Sequence, residues 1–575
     1  MNNKRIADTL EQVADLLEFQ GANPFRIRAY RKGAKTIADL PESIGGIVQD
    51  TSRKVTDIDG IGKDLGAKVE ELVTSGQLEM LEELLETIPA TVLDLVRVPG
   101  MGPKKAAIVF KQLEIATLEQ LKEACENQQL RVLKGFGAKT EQTILDGIAI
   151  AAAANERTLW AVADEVAQQL LEHLQSCDSI ETIDMAGSYR RCKETIGDLD
   201  ILVVSTDADE VMDRLGDFPD LDSISVRGDT KMSIRLFGGL QVDLRVVPAE
   251  SFGAAMQYFT GSKEHNVVVR GRAKQMGLKV NEWGVYRVDS DEYVAGATEE
   301  DVYAALDLPW IAPEIREARD EFTWSESGKL PDLIDLSDIR GDLHMHTTAT
   351  DGKATLEEMV AAAKNIGLKY IAITDHSKRV SMANGLDDER ALQQWAEIDE
   401  LNESLGKSFT LLKGIECDIL ENGDMDLTDE TLAQADWVMA SIHYGQKQPI
   451  DKITRRMLNA IENPHVTAIS HPTGRLINKR EPYEIDLEQI YVAAKEHNKL
   501  LELNAAPKRL DLNEVHCAAA KRHGIPIVIS TDAHSVQGLA AMRYGINQAR
   551  RAGLTKADVA NTRTWPQLRK LIGRG

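Results

Sequence analysis

Between residues 339 and 575 the chain repeats one rhythm seven times, a short apolar run followed by a helical stretch; the runs are RGDLHMH, YIAITDH, LLKGIECDI, WVMASIHYG, VTAISHP, LLELNAA and PIVISTDAH. Strands alternating with helices specify a parallel sheet, and seven such units specify a barrel of the (β/α) type, here a distorted (β/α)7 barrel. The runs also carry reactive side chains. His344 and His346 alternate, so a strand turns both imidazoles to one face together with Asp342, and Asp351 follows in the loop. Asp375-His376, Glu416, His443, His471, Asp532 and His534 stand near the ends of later runs, and strand ends meet at one rim of such a barrel.

The residues His344, His346, Asp351, His376, Glu416, His443, His471, Asp532 and His534 are nine candidate ligands, too many for one ion and enough for three. Imidazole with carboxylate suits Zn2+, Mn2+ or Fe2+. The five cysteines form no CxxC pair, which argues against a thiolate zinc site and suits a reducing compartment. Ten of the twelve histidines lie between 344 and 534; four of those, His465, His497, His516 and His523, fall in helix-like or inter-element stretches and read as ordinary surface histidines.

A chain of 575 residues is too long for one core, and its texture changes along its length. Residues 1–150 read as short helices punctuated by glycine. Within them IDGIGKDLGAKVEEL, VPGMGPKKAAIVF and LKGFGAKTEQTIL share an apolar-x-Gly-apolar-Gly turn (Gly60 and Gly62, Gly100 and Gly102, Gly135 and Gly137) at spacings of 35 to 40 residues. Such a turn can merely join two helices. Repeated three times at a helix start, it also gathers backbone N–H groups where a phosphate would sit. From about 150 to 310 strands and helices mix, and residues 311–338 are polar, proline-bearing and without periodicity, as a linker would be.

In that mixed region GSYRRCKETIGDLDILVV sets Asp198 and Asp200 two apart on an apolar strand, so both carboxylates share a face; LQVDLRVV offers Asp243. Three convergent carboxylates hold two Mg2+ or Mn2+ ions suited to activating a primer hydroxyl and steadying a triphosphate. Gly187 and Ser188 stand at a turn where a hydroxyl, backbone amides and Arg191 can meet phosphate oxygens.

Charge weighs against nucleic acid. The net charge is -25, and the acidity concentrates in residues 151–330, with 18 basic and 34 acidic side chains, against 19 and 23 in residues 1–150. DNA binding must therefore use local grooves, backbone amides and metal ions. No apolar run reaches the ~18 residues of a membrane span, and the opening MNNKRIADTLEQVADLLEF lacks a secretion-signal core, so the expectation is a cytoplasmic protein with no membrane partner.

The G-S turn followed by a D-x-D strand resembles the nucleotidyltransferase superfamily, and YFTGSKEHNVVVRGRAKQMGLKVNEWGVY narrows the likeness to family X DNA polymerases over residues 1–310. That resemblance implies an all-α helix-hairpin-helix N-terminal domain (1–85) and fingers (86–155), an α/β nucleotidyltransferase palm (156–250), a thumb (251–315) and a linker (316–338). It also implies that Ser188 and Arg191 contact the triphosphate, that Tyr258, Phe259, Thr260 and Gly261 line the sugar, and that Asn266 and Arg270 face the nascent base pair. Lys68 falls on the family's lyase lysine, with Tyr30 and Arg26 nearby, although Phe25 and Asp64 depart from its 5′-phosphate pocket. DLHMH, TDH, GIE, SIHYG, SHP and TDAH resemble the polymerase and histidinol phosphatase (PHP) domain over 339–575, which implies a phosphoesterase with a trinuclear metal centre and Glu416 bridging two ions. Arg475, Lys508 and Arg509 are expected on rim loops where they could clamp a phosphate. The combined expectation is a repair polymerase that fills short gaps using dNTPs and primer-template or gapped DNA, with 3′→5′ exonuclease, 3′-phosphatase and AP-endonuclease chemistry in the PHP domain. The alternative is a metal-dependent small-molecule phosphatase with a non-catalytic DNA-binding front half.

Overall fold

A computed structural model describes residues 3–573 except 97, 99 and 154–156, and the expected fingers–palm boundary at 155/156 lies outside the described residues. The chain divides into two compact units, Met1–Arg157 and, apart from Asp486–Glu488, Thr158–Gly575.

The first unit is helical. In Asn3–Gln20 the residues Ile6, Leu10, Val13 and Leu17 recur at helical spacing and are buried. Pro24–Ala38 begins with a proline and is capped by Asn23, whose side chain accepts from Phe25 N. The three glycine turns adopt one conformation. Gly60, Gly100 and Gly135 have φ of 88°, 82° and 90°, a region open to glycine at little cost. The residue between each glycine pair, Ile61, Met101 or Phe136, is buried and donates its N–H to the carbonyl three residues back. Gly62 and Gly102 then cap the helices Lys63–Ser75 and Pro103–Leu113, and Ala138–Ala153 follows Gly137.

The second unit holds two layered regions. A five-stranded sheet runs in the order Ile180–Met185, Asp198–Ser205, Gln241–Val246, Lys231–Leu236, Leu221–Arg227. Its two central strands, 198–205 and 241–246, are parallel, and their inward apolar positions (Leu199, Ile201, Val203, Val242, Leu244) pack beneath the helices Trp160–Gln175 and Ala208–Gly216. The helices Phe252–Thr260 and Lys263–Gln275 and a three-stranded antiparallel sheet follow.

Of the segment expected as a linker, residues 311–325 are largely packed into the fold, whereas 326–329 and 335–337 are exposed. Arg316, Glu317 and Glu321 are buried because their charges are paired, Arg316 with Glu299 and Glu321 with His265. Beyond it, Gly341–Asp342, Tyr370–Ile373, Thr410–Asp418, Trp437–Ser441, Ala468–Ile469, Leu500–Asn504 and Ile527–Ser530 pair in sequence order, all parallel. Past the last strand, Asp532 N donates to His344 O and His346 N to Ala533 O, which joins the first and last strand ends and nearly closes the barrel. Buried on both faces, these strands read as apolar runs, not as alternating ones. Among the described residues no helix is long and apolar enough to cross a membrane.

Candidate metal centres and nucleotide site

Parallel register brings the palm carboxylates together. Asp200 lies directly opposite Asp243, and Asp198 opposite Gln241. Asp243 accepts from Ser233 Oγ and from Gln241 Nε2 (3.2 Å), with Lys231 Nζ at 3.9 Å. Gly187, at φ 66°, is required here by close approach, since a Cβ on it would overlap the Asp200 carboxylate. The Gly187–Arg190 turn thus lies against the aspartates, and Ala186 N donates to Asp200 O at 2.8 Å. Burial, then the Asp198 and Asp243 carboxylates, push the Asp200 carboxyl up to about 7. Three acids faced by only Arg245 and Lys231 form a site whose repulsion a divalent cation relieves.

The neighbouring side chains are tightly occupied. Arg190 forks onto Glu299 (2.9 and 2.7 Å), which Arg316 also grips, and these guanidiniums hold Glu299 at about 2 although burial would raise it. Arg191 donates from Nε to Glu317 (3.2 Å) and from Nη1 to the carbonyl of Thr260, so it bridges the 187–191 turn and the Tyr258–Gly261 turn. Phe259 lies under the Arg245 guanidinium at 4.7 Å. Asn266 is buried; it donates to Tyr258 O (2.8 Å) and accepts from Gln257 (2.7 Å), and so fixes the turn instead of facing outward. Arg270, one helical turn on, is exposed and donates to Asn266 O.

In the barrel the expected ligands converge. Three overlapping groups have ligand atoms within 4.8 Å of one another: His346, Asp351, His376 and His534; His344, His346 and Glu416; His376, Glu416 and His443. Glu416 is common to two of them, and His471 Nε2 (2.9 Å), His376 Nδ1 (2.9 Å) and His344 Nε2 (3.4 Å) all approach it. Asp532 lies 3.1 Å from His346 and 3.5 Å from His344. Burial would raise the Glu416 and Asp532 carboxyls, but the surrounding imidazoles hold both well below the usual range. Glu416 and Asp351 lift His376 to about 10 against burial, whereas burial and the His376 charge depress His346 to about 4. His344 Nε2, His346 Nδ1 and His376 Nδ1 are buried close to the acids of the centre without making a well-directed hydrogen bond, the arrangement expected of nitrogens that bind a cation.

Several supporting residues were not singled out in the sequence. Glu502, fully buried, meets His344 Nδ1 at 2.7 Å and accepts from His471 N (2.6 Å) and Ser470 Oγ (3.0 Å). Asp418 does the same for His443, accepting from its N–H (2.9 Å) beside its Nδ1 (3.2 Å). An acid inside an apolar strand such as LLELN was the available signal. Asp342 and Asp375 are structural: Asp342 accepts from Thr531, and Asp375 from Thr347, Thr350 and Gln394, which fixes the loop carrying Asp351. Arg475 does not face the rim; it is buried against Glu194 (2.6 Å) and the carbonyls of Arg509 and Leu510. Arg509 lies 3.5 Å from Asp532, and Lys508 is exposed. Of the four histidines set aside, His497 is exposed, whereas His465, His516 and His523 are half-buried, His516 against the Tyr491 hydroxyl and His523 against the Tyr491 ring.

In the first unit Lys68 donates to Asp64 at 3.0 Å. Burial would lower its pKa, yet Asp64 and Tyr30 together raise it. Tyr30 and Arg26 both reach Met80 Sδ, and Phe25 is exposed with Arg28 over its ring.

Comparison with known proteins agrees with this layout. Residues 1–78 match a helix-hairpin-helix domain, 92–149 a helix-hairpin-helix tandem, 161–221 the DNA polymerase beta palm, 255–317 the DNA polymerase beta thumb and 342–506 the PHP domain. The chain is 39% identical over 577 residues, the full length of both, to the DNA polymerase/3′-5′ exonuclease PolX of Bacillus subtilis. This chain belongs to the family X polymerases that carry a PHP domain. It is 27% identical over 347 residues to rat DNA polymerase lambda (55% of this chain, 56% of that protein), and 31% identical over 232 residues to a probable phosphatase of Thermoanaerobacter (38% and 89%). Both the polymerase and the PHP parts belong to metal-dependent classes.

Proposed function

We propose that the chain is a DNA polymerase that fills short gaps in repair and that its barrel removes nucleotides from 3′ ends. The observation that carries the reading is the presence of two different ligand sets in one chain, the Asp198, Asp200 and Asp243 carboxylates and the imidazole-rich rim around Glu416. Bound at the carboxylates, Mg2+ or Mn2+ supplies the charge that acidifies a primer 3′-hydroxyl and steadies pyrophosphate. Gly187 lets backbone amides approach the aspartates, Ser188 offers its hydroxyl and Arg191 its guanidinium to a triphosphate, and the Tyr258–Gly261 turn, fixed by Asn266, bounds the sugar. Arg270 reaches toward the template side. The N–H groups at Gly60/Gly62, Gly100/Gly102 and Gly135/Gly137 take DNA phosphates, which lets a chain of negative charge hold DNA without a basic surface.

At the rim, the groups His346, Asp351, His376 and His534; His344, His346 and Glu416; and His376, Glu416 and His443 would hold up to three ions of Zn2+, Mn2+ or Fe2+, which would supply a nucleophile and neutralise charge at phosphorus. Glu502 and Asp418 fix the tautomers of His344 and His443 by holding their Nδ1 atoms, so that Nε2 faces the centre. A phosphoesterase of this kind also suits 3′-phosphate removal and cleavage at abasic sites. The test is a crossed pair of variants on one gapped substrate: Asp243→Ala abolishes extension and keeps 3′ hydrolysis, and His344→Ala does the reverse. Loss of both activities in either folded variant defeats the two-site reading. The likeness of the barrel to probable phosphatases favours a second reading, hydrolysis of a small phosphate ester, which requires the wild type to show no primer extension.

A further inference from the structure

The turn that follows the Gly187–Arg190 helix is held from the barrel. Arg551, at the end of the Met542–Arg551 helix, is almost fully buried. Its Nη1 donates to the carbonyl of Arg191 (2.7 Å) and to Glu317 (3.1 Å), and its Nη2 to Glu514 (2.8 Å). Gln548 donates to the carbonyl of Cys192 at 3.2 Å, and Arg475 meets Glu194 at 2.6 Å. Three barrel side chains therefore grip residues 191–194, directly after the turn assigned to the triphosphate.

Glu317 is the hinge of this network. Its carboxylate accepts from Arg551 and from Arg191 Nε, and although burial would raise it, the two guanidiniums hold it at about 2. A triphosphate must compete with Glu317 for the Arg191 guanidinium. Arg551 weakens that competition by sharing the carboxylate's charge, and it fixes the Arg191 backbone with the same guanidinium. A planar fork with donors on several edges can serve three acceptors at once; an ammonium cannot hold them in one plane.

We propose that Arg551 is a positioning residue for nucleotide binding, so that the polymerase site is incomplete without the PHP barrel. The inference rests on the reading of the 187–191 turn as the triphosphate site. It does not require Arg551 to touch the nucleotide.

The experiment is steady-state primer extension by the full chain, with dNTP KM and kcat measured separately and 3′ hydrolysis assayed on the same preparations. Arg551→Ala raises the dNTP KM roughly tenfold or more, the scale of one lost charge-assisted hydrogen bond, while 3′ hydrolysis stays at the wild-type rate. Adding Glu317→Gln to Arg551→Ala removes the competing charge and recovers much of the KM, a rescue that a merely structural role of Arg551 would not give. If Arg551→Ala does not fold, Arg551→Lys shows a smaller KM rise, with the same recovery by Glu317→Gln. An unchanged KM in folded Arg551→Ala, or an equal loss of both activities without rescue, overturns the proposal. Ser188→Ala separates the two levels. If it leaves KM unchanged, the triphosphate reading fails and Arg551 falls with it; if it raises KM while Arg551→Ala does not, only this inference fails.

Discussion

The palm and the barrel solve one problem, holding cations beside a phosphate, with opposite electrostatics. The palm gathers three acids faced by only Arg245 and Lys231, and burial together with the acids' mutual repulsion brings Asp200 to about 7. The barrel interleaves six imidazoles with Asp351, Glu416 and Asp532, so its acids stay charged even when buried. The palm is therefore a site completed by an incoming ion and nucleotide together, and the barrel a centre whose ligands are already aligned. On the proposed reading the difference fits the two tasks: one site would exchange a metal-bound substrate each cycle, and the other would keep its ions.

The largest effect that can break this contrast is the crossed loss of activity. Asp243→Ala lowers extension by roughly three orders of magnitude, the scale of several kcal/mol of lost charge stabilisation, and His344→Ala does the same to 3′ hydrolysis. Next comes orientation. Glu502→Gln removes the charge that fixes His344 and lowers metal affinity or hydrolysis about 10–100-fold without touching extension, measured by competition with a chelator.

Acidity sharpens the contrast further. The Asp200 carboxyl is raised in the fold, so the metal-free folded chain keeps a proton that the unfolded chain has lost, and its stability falls as pH rises from 3.8 to about 7. Asp200→Asn removes that fall, which melting in the presence of a chelator at pH 5 and pH 8 detects. By the same linkage, ion binding at the palm weakens as pH drops below about 7, because the ion then displaces a proton. Lys68 follows the logic of the barrel, its charge compensated by Asp64. Asp64→Asn lowers the Lys68 pKa and raises borohydride trapping of an abasic substrate a few-fold. An unchanged yield there means that Asp64 does not restrain that lysine.

The barrel and its rim were legible because each strand announces itself as an apolar run and each ligand stands at its end. The palm aspartates were legible from spacing, but that Asp200 and Asp243 are direct neighbours is a matter of register between strands some forty residues apart, which no local pattern encodes. What escaped the sequence was paired charge. Glu502 and Asp418 are acids whose partners lie in other strands, and Arg316, Glu317 and Arg551 look like surface charges until folding joins them. Arg475 was expected at the rim for the same reason: a loop cation gives no sign that Glu194, nearly three hundred residues earlier, will take it.

The most direct measurement is the metal content of purified wild type, Asp243→Ala and His344→Ala after passage over a chelating resin, by plasma mass spectrometry. Two or three transition ions per chain in the wild type, the same number in Asp243→Ala and fewer in His344→Ala is the predicted result. No retained ion in the wild type, or their loss in Asp243→Ala, would contradict a prealigned barrel centre independent of the palm.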